Sequence, residues 1–200
     1  SVGSHITKTK SMESTSNAIP APDLIVQVDG GHLKDKTPEA RSFEAMAAVV
    51  YRPDSIHHNP KSCRGHLVSK HCAASSLLDN QFYMFQATLI AAKKQGLTEH
   101  TWLTALCDGA SNCWSVIDSL ASHCKGVTKI LDWFHISMKF KNIAVPEIQK
   151  KAFEKAKWHL WRGRVDCALL RLSQVMEHIK NSKQLKKLNQ LKFYIENNGD

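Results

Sequence analysis

The sequence predicts an α/β protein of the α+β kind, a mixed sheet with an all-helical insertion at its C-terminal end. Three observations carry this. Apolar runs of β character dominate up to about residue 75, helix and strand patterns then alternate to His135, and beyond Ile136 only the helical period remains. At 200 residues and 42% hydrophobic, the chain is long enough for one full core, or for a core domain with a helical addition.

Residues 1–22 are Ser/Thr-rich, end in Pro20-Ala21-Pro22 and have no period, so they read as a linker or the tail of an upstream domain. The start at Ser1 and the polar end at Asn197-Asn198-Gly199-Asp200 suggest a piece of a longer protein. A catalytic core is expected over residues 23–135. Residues 24–28 form a β-type run, and 43–51 form another with the β-branched pair Val49-Val50. Between them, Gly30-Gly31 and Lys34-Asp35-Lys36-Thr37-Pro38 supply turn chemistry, so the two runs are expected to pair antiparallel. A weak third strand is expected over 66–73, with His57-His58-Asn59-Pro60 as a loop.

Leu78, Phe82, Phe85, Leu89 and Ala92 follow at helical steps; Ser76 and Asp79 resemble a capping box, and Gly96 sits where a C-terminal glycine stop belongs. The next strand covers 102–107 and ends at Asp108. Ser111 is the expected cap of a helix with Trp114, Ile117 and either Leu120 or Ala121 on its apolar side, and a strand follows over 127–131. Three antiparallel strands followed by alternating helices and parallel strands is the order of a ribonuclease H-like mixed sheet. In that order the first and fourth strands are neighbours, which brings Asp29 toward Asp108.

Residues 136–200 read as a basic all-helical insertion. One helix opens at Pro146 and runs through Ile148, Ala152, Ala156 and Leu160 to Gly163. A second carries Val165, Leu169, Leu172, Met176 and Ile179, and a third, capped by Ser182, carries Leu185, Leu188, Leu191 and Ile195. The net charge of +9 is concentrated here, with 14 Lys and Arg against 6 Asp and Glu after residue 135. Such a surface either meets a polyanion, most simply DNA, or is a solvated lysine-rich face. Trp158 and Trp161, beside Arg162 and Arg164 and following Lys155 and Lys157, are the DNA-contact candidates, whereas Trp133 and Phe134 are expected in a core.

Two nearby aspartates repel unless a cation lies between them, and hard oxygen ligands suit Mg2+ or Mn2+. Asp29 and Asp108 are therefore the candidate catalytic residues and metal ligands. A pair of such ions serves phosphodiester cleavage or strand transfer. Each aspartate taken singly is also a common turn residue. Asp132 is either a further ligand or a helix cap; His135 either orients a phosphate or supports its neighbours, the second being favoured; Glu44 is a possible further member from the second strand.

Cys63, His66, His71 and Cys72, with His57 and His58 upstream, have ligand types that suit zinc. Only Cys63 to His66 is tightly spaced, which disfavours a zinc site. The six cysteines show no CxxC pair and no export signal precedes them, so free thiols in a reducing cytosol are expected. No apolar run approaches a bilayer-spanning length, so no membrane partner is expected.

Val26-Gln27-Val28-Asp29-Gly30, Arg41-x-x-Glu44 leading into Val49-Val50-Tyr51, Lys70-His71-Cys72-Ala73-Ala74-Ser75, Cys107-Asp108-Gly109-Ala110-x-x-x-Trp114 and Ile130-Leu131-Asp132-Trp133-Phe134-His135 follow in this order. Together they resemble bacterial insertion-sequence transposases of the Kra group. The resemblance runs from about Asp23 to the end of the chain, and the Leu-Asp-Trp-Phe-His motif joined to Asp-Gly-Ala at this spacing is its most specific part. It implies a DDE transposase whose ribonuclease H-like core is interrupted after the fifth strand by a helical insertion. Such an enzyme binds the terminal inverted repeats of its element as a homo-oligomer, cuts DNA with two Mg2+ or Mn2+ ions, and joins the ends to a target. The resemblance implies a cytoplasmic, nucleoid-associated protein. Asp29 and Asp108 match the first two acids, and Asp132-x-x-His135 resembles a Cys/Asp-x-x-His signature of related transposases. The third acid, a glutamate in a Gly-Ser-Gly-x-x-Glu-like context, has no match in these residues, and Glu196 lacks that context. The chain thus reads as a transposase fragment with two of three acids, expected to cleave poorly alone. A ribonuclease H-like nuclease or resolvase, and an inactive DNA-binding remnant, are the alternatives.

Overall fold

The computed structural model describes residues 18–34, 43–60 and 64–199. Most of the expected linker over 1–22, part of the expected turn at 34–38, Arg41 and Cys63 lie outside the described residues. The chain divides into two units, Ser1–Ile130 and Leu131–Asp200.

In the first unit, β1 (Asp23–Leu33) alternates Leu24, Val26 and Val28 inward with Asp23, Gln27 and Asp29 outward. Strand β2 (Phe43–Tyr51) pairs with it antiparallel, Val28 opposite Ala48 and Asp29 opposite Ala47. Gly30 and Gly31 therefore lie inside the strand, opposite Met46 and Ala45, rather than in the expected turn. The ladder extends β1 past the glycines because β2 offers partners as far as Phe43.

The expected loop at 57–60 is instead strand β3 (Ile56–Asn59), which forms a separate hairpin with β4 (Arg64–Leu67). The third strand of the main sheet, β5 (His71–Ser75), begins five residues later than expected and pairs antiparallel with β2. None of residues 65–70 is buried, Val68 being 64% exposed, so no buried stripe specified their register and the nearby partner prevailed.

Helix α1 (Phe82–Lys94) starts later than the apolar period suggested. Asn80 and Gln81 take positive φ, 54° and 61°, which breaks helical geometry before Phe82. Gln81 holds the cap position, and the carboxylate of Asp79 rather than Ser76 serves the first turn, accepting from Tyr83 N at 2.9 Å. The buried stripe consequently shifts to Met84, Thr88, Ala91 and Ala92, while Leu78 is 98% exposed. Gly96 does end the helix: at φ +97° it completes the paired 6→1 and 5→2 bonds of a Schellman stop, Leu97 N to Ala92 O and Gly96 N to Lys93 O. Its missing Cβ admits the Ile19 carbonyl and the Arg52 guanidinium. Gly96→Ala is therefore expected to cost about 1–3 kcal/mol or more, read as a lower denaturant midpoint.

Strand β6 (Trp102–Cys107) lies parallel to β1, pairing buried Leu24 with Leu103 and Val26 with Ala105. Helix α2 (Ser111–Asp118) buries Cys113, Val116 and Ile117, followed by Leu120, with Trp114 half-buried beside them. Strand β7 (Gly126–Leu131) closes the far edge. The result is a five-stranded mixed sheet in the order β5-β2-β1-β6-β7, with α1 and α2 contributing to one core with its inward face. Each fully buried Leu or Val in that core adds about 1.5–3 kcal/mol of transfer free energy.

The second unit is helical: α3 (Trp133–Lys141), α4 (Glu147–Trp161), α5 (Val165–Glu177) and α6 (Ser182–Asn198). Its core gathers Ile136, Phe140, Phe153, Ala156, Leu172, Val175, Leu188, Leu191 and Ile195, with the Phe140 and Phe153 rings 4.9 Å apart. Ile148, expected on the apolar face of α4, is 86% exposed because the buried stripe centres on Phe153 and Ala156. The α6 cap is Asn181, whose side chain accepts from Lys183 N and Gln184 N, in place of Ser182. No helix among the described residues is long and apolar enough to cross a membrane.

Candidate active site and basic helical face

Continuing the parallel β1–β6 register by two residues from Gln27 opposite Leu106 sets Asp29 opposite Asp108. Asp29 takes the outward position after buried Val28, and Asp108 follows buried Cys107 at the end of its strand. Beyond Asp108 the chain turns through Gly109, at φ +89°, and Ala110 N donates to Asp108 Oδ1 at 2.9 Å. Asp108 thus orders the entry to α2, where Ser111 caps nothing and Ala110 holds the cap position.

Two buried thiols report the pair of carboxylates. Burial first, then the charge of Asp108, pushes the Cys113 thiol up to about 12; Cys107, Asp29 and a hydrogen bond to Asp108 add to the rise. Burial likewise leads the rise of Cys107 to about 11, with Asp108 and Asp29 raising it and the Gly109 amide and Lys129 opposing them. Both aspartates therefore act on the same thiols. Cys113 is the residue that the sequence reading missed. Its signal was a cysteine within the apolar stripe of a helix that opens just after Asp-Gly-Ala.

Glu44 lies opposite His32, on the face of β2 that carries Met46 rather than the outward face of Asp29. Its carboxylate accepts from Asn112 Nδ2 at the start of α2. Beside it, Asn112 Oδ1 accepts from Cys113 N at 2.9 Å. Among the described residues no group of three or more His, Cys, Asp and Glu is arranged to hold a metal ion. Asp29 and Asp108 carry hard oxygen donors of the type that suits a divalent cation, and two carboxylates alone do not complete its coordination.

In the second unit Asp132 is a helix cap. Its Oδ1 accepts from Phe134 N at 2.8 Å, and its other oxygen lies 3.7 Å from His135 Nε2. His135 is thereby placed beside the capping carboxylate. Trp133 packs on the helical core, as expected, but Phe134 is 65% exposed, in place of the core position expected for it. No family model and no curated protein matches this chain.

Helix α4 displays the basic and aromatic residues together. Lys155, Trp158 and Arg162 recur at helical spacing on one side, with Trp161 adjoining. Trp158 is 48% and Trp161 58% exposed, and Lys155, Arg162 and Arg164 are exposed as well. Trp133 backs the tryptophans, 4.8 Å from Trp161 and 6.3 Å from Trp158, while the Lys157 ammonium lies 5.9 Å from the Trp133 and Trp158 rings. Glu196, on α6, is engaged by Lys192 at 3.8 Å.

Proposed function

We propose that this chain is the ribonuclease H-like core and helical insertion of a DDE transposase, carrying two of its three acids. The observation that carries the reading is the parallel pairing of β1 with β6 as far as Gln27 opposite Leu106, whose continuation by two residues brings Asp29 of β1 to the level of Asp108 just past the end of β6, in a sheet ordered β5-β2-β1-β6-β7. Within that reading, Asp29 and Asp108 would hold Mg2+ or Mn2+, which would supply water activation and charge neutralisation at phosphorus. Ala110 N–H and the Cys113 thiol orient the Asp108 carboxylate. Trp158, Trp161, Arg162 and Arg164, with Lys155 and Lys157, bind transposon-end DNA, and the protein assembles as a homo-oligomer on it at the nucleoid. Asp132 and His135 support the start of the helical insertion.

A second reading, an inactive DNA-binding remnant, is favoured by the exposed Trp158, Trp161, Arg162 and Arg164, a basic aromatic face that can bind DNA without the acids. The test offers pre-cleaved 3'-hydroxyl transposon ends and target DNA to the gene product carrying these residues. Joined product that disappears with Asp29→Asn supports the transposase. Cleavage without joining indicates a nuclease or resolvase, and binding that survives Asp29→Ala with neither product indicates the remnant. The 200 residues alone are expected to bind DNA while cutting it poorly or not at all.

A further inference from the structure

The β3–β4 hairpin stands outside the main sheet and takes no part in the proposed chemistry. Its register sets His57 directly opposite His66, so both side chains leave the same face of the two-stranded ribbon. The imidazole centroids are 5.9 Å apart, tilted by 33°, and both residues are exposed. His58 pairs with Gly65 and so belongs to the other face.

We propose that His57 and His66 form a two-imidazole chelating site for a borderline transition-metal ion such as Ni2+ or Zn2+. Imidazole is the nitrogen donor that these ions favour over oxygen-seeking Mg2+. With metal–nitrogen bonds of about 2.0–2.1 Å and tetrahedral angles, two ligating imidazoles have centroids roughly 5 Å apart. The observed separation needs only a small rotation of exposed side chains, at no cost in packing. An ion held by one ring meets the second intramolecularly, which raises its residence without new contacts. Water completes the coordination shell, and the ion ties the two strands of the hairpin together across their width.

The test is a calorimetric Ni2+ titration of the tag-free chain and its variants. His57→Ala and His66→Ala are each expected to weaken binding about tenfold or more, equivalent to about 1.4 kcal/mol, whereas His58→Ala changes it less than about twofold. Circular dichroism confirms that these exposed substitutions leave the fold intact. Affinity retained within about twofold in either the His57 or the His66 variant overturns the proposal. So does an equal loss on Cys63→Ser, which would make the site a thiolate one.

Discussion

Replacing Trp158 and Trp161 together by alanine is expected to weaken DNA binding by roughly thirtyfold or more. Base–aromatic stacking is worth about 1–3 kcal/mol per base, so two platforms account for about 2–6 kcal/mol. The rings suit that task because they are half exposed while Trp133 supports them from below at 4.8 and 6.3 Å. Lys157, close to the Trp133 and Trp158 rings, places a cation beside the same platform. Arg162→Ala and Arg164→Ala should act differently. Each removes a phosphate-neutralising charge and is expected to lower the slope of log affinity against log salt by about one. Fluorescence anisotropy with single-stranded and duplex end DNA, between about 50 and 200 mM salt, separates the two contributions. A loss confined to the arginine variants would leave a purely electrostatic surface and remove the stacking role.

Where one face of a segment is buried and the other wet, its structure was legible. Strand β2 runs over Phe43–Tyr51 as its β-branched and alanine pattern indicated, and the β1–β6 adjacency follows from strand order alone. The hairpin β3–β4 was not legible, since residues 56–59 and 65–67, the Ile56–Leu67 pair included, stay exposed or half-buried and a segment without a buried face carries no burial signal. Helix caps were misassigned for a different reason. Ser76, Ser111 and Ser182 are all plausible caps by residue type, yet Asp79, Asp108 and Asn181 make the bonds at those helix starts. Short polar side chains compete for the same amides, and backbone geometry decides among them. Of the candidate site, Asp108 stands out in the sequence as an acid at a strand end, whereas Asp29, expected at the end of its run, lies inside β1, and Cys113 resembles any core residue until the fold brings its thiol to Asp108. Asp132, left open between ligand and cap, is a cap.

Asp108→Asn is expected to lower Mn2+ affinity at least about tenfold, since it converts one of two anionic donors into a neutral amide. The same substitution makes an independent prediction inside the core. Asp108 is the largest charge acting on Cys113, so its removal lets that thiol ionise at lower pH, while burial, the leading cause, keeps it above the ordinary value of 9.0. The ultraviolet thiolate absorbance of Cys113 should therefore appear at lower pH in Asp108→Asn, and with a smaller displacement in Asp29→Asn, whose charge ranks lower among the causes. The stability linkage has the same origin. A thiol whose folded pKa is raised favours the folded state fully below 9.0, and that contribution is lost as pH rises toward about 12 for Cys113 and about 11 for Cys107. In Asp108→Asn the loss should be complete at lower pH. Mn2+ binding and thiol titration both unchanged would separate Asp108 from Asp29 and dissolve the two-carboxylate site; a shift in the titration alone would keep Asp108 beside Cys113 and remove the metal.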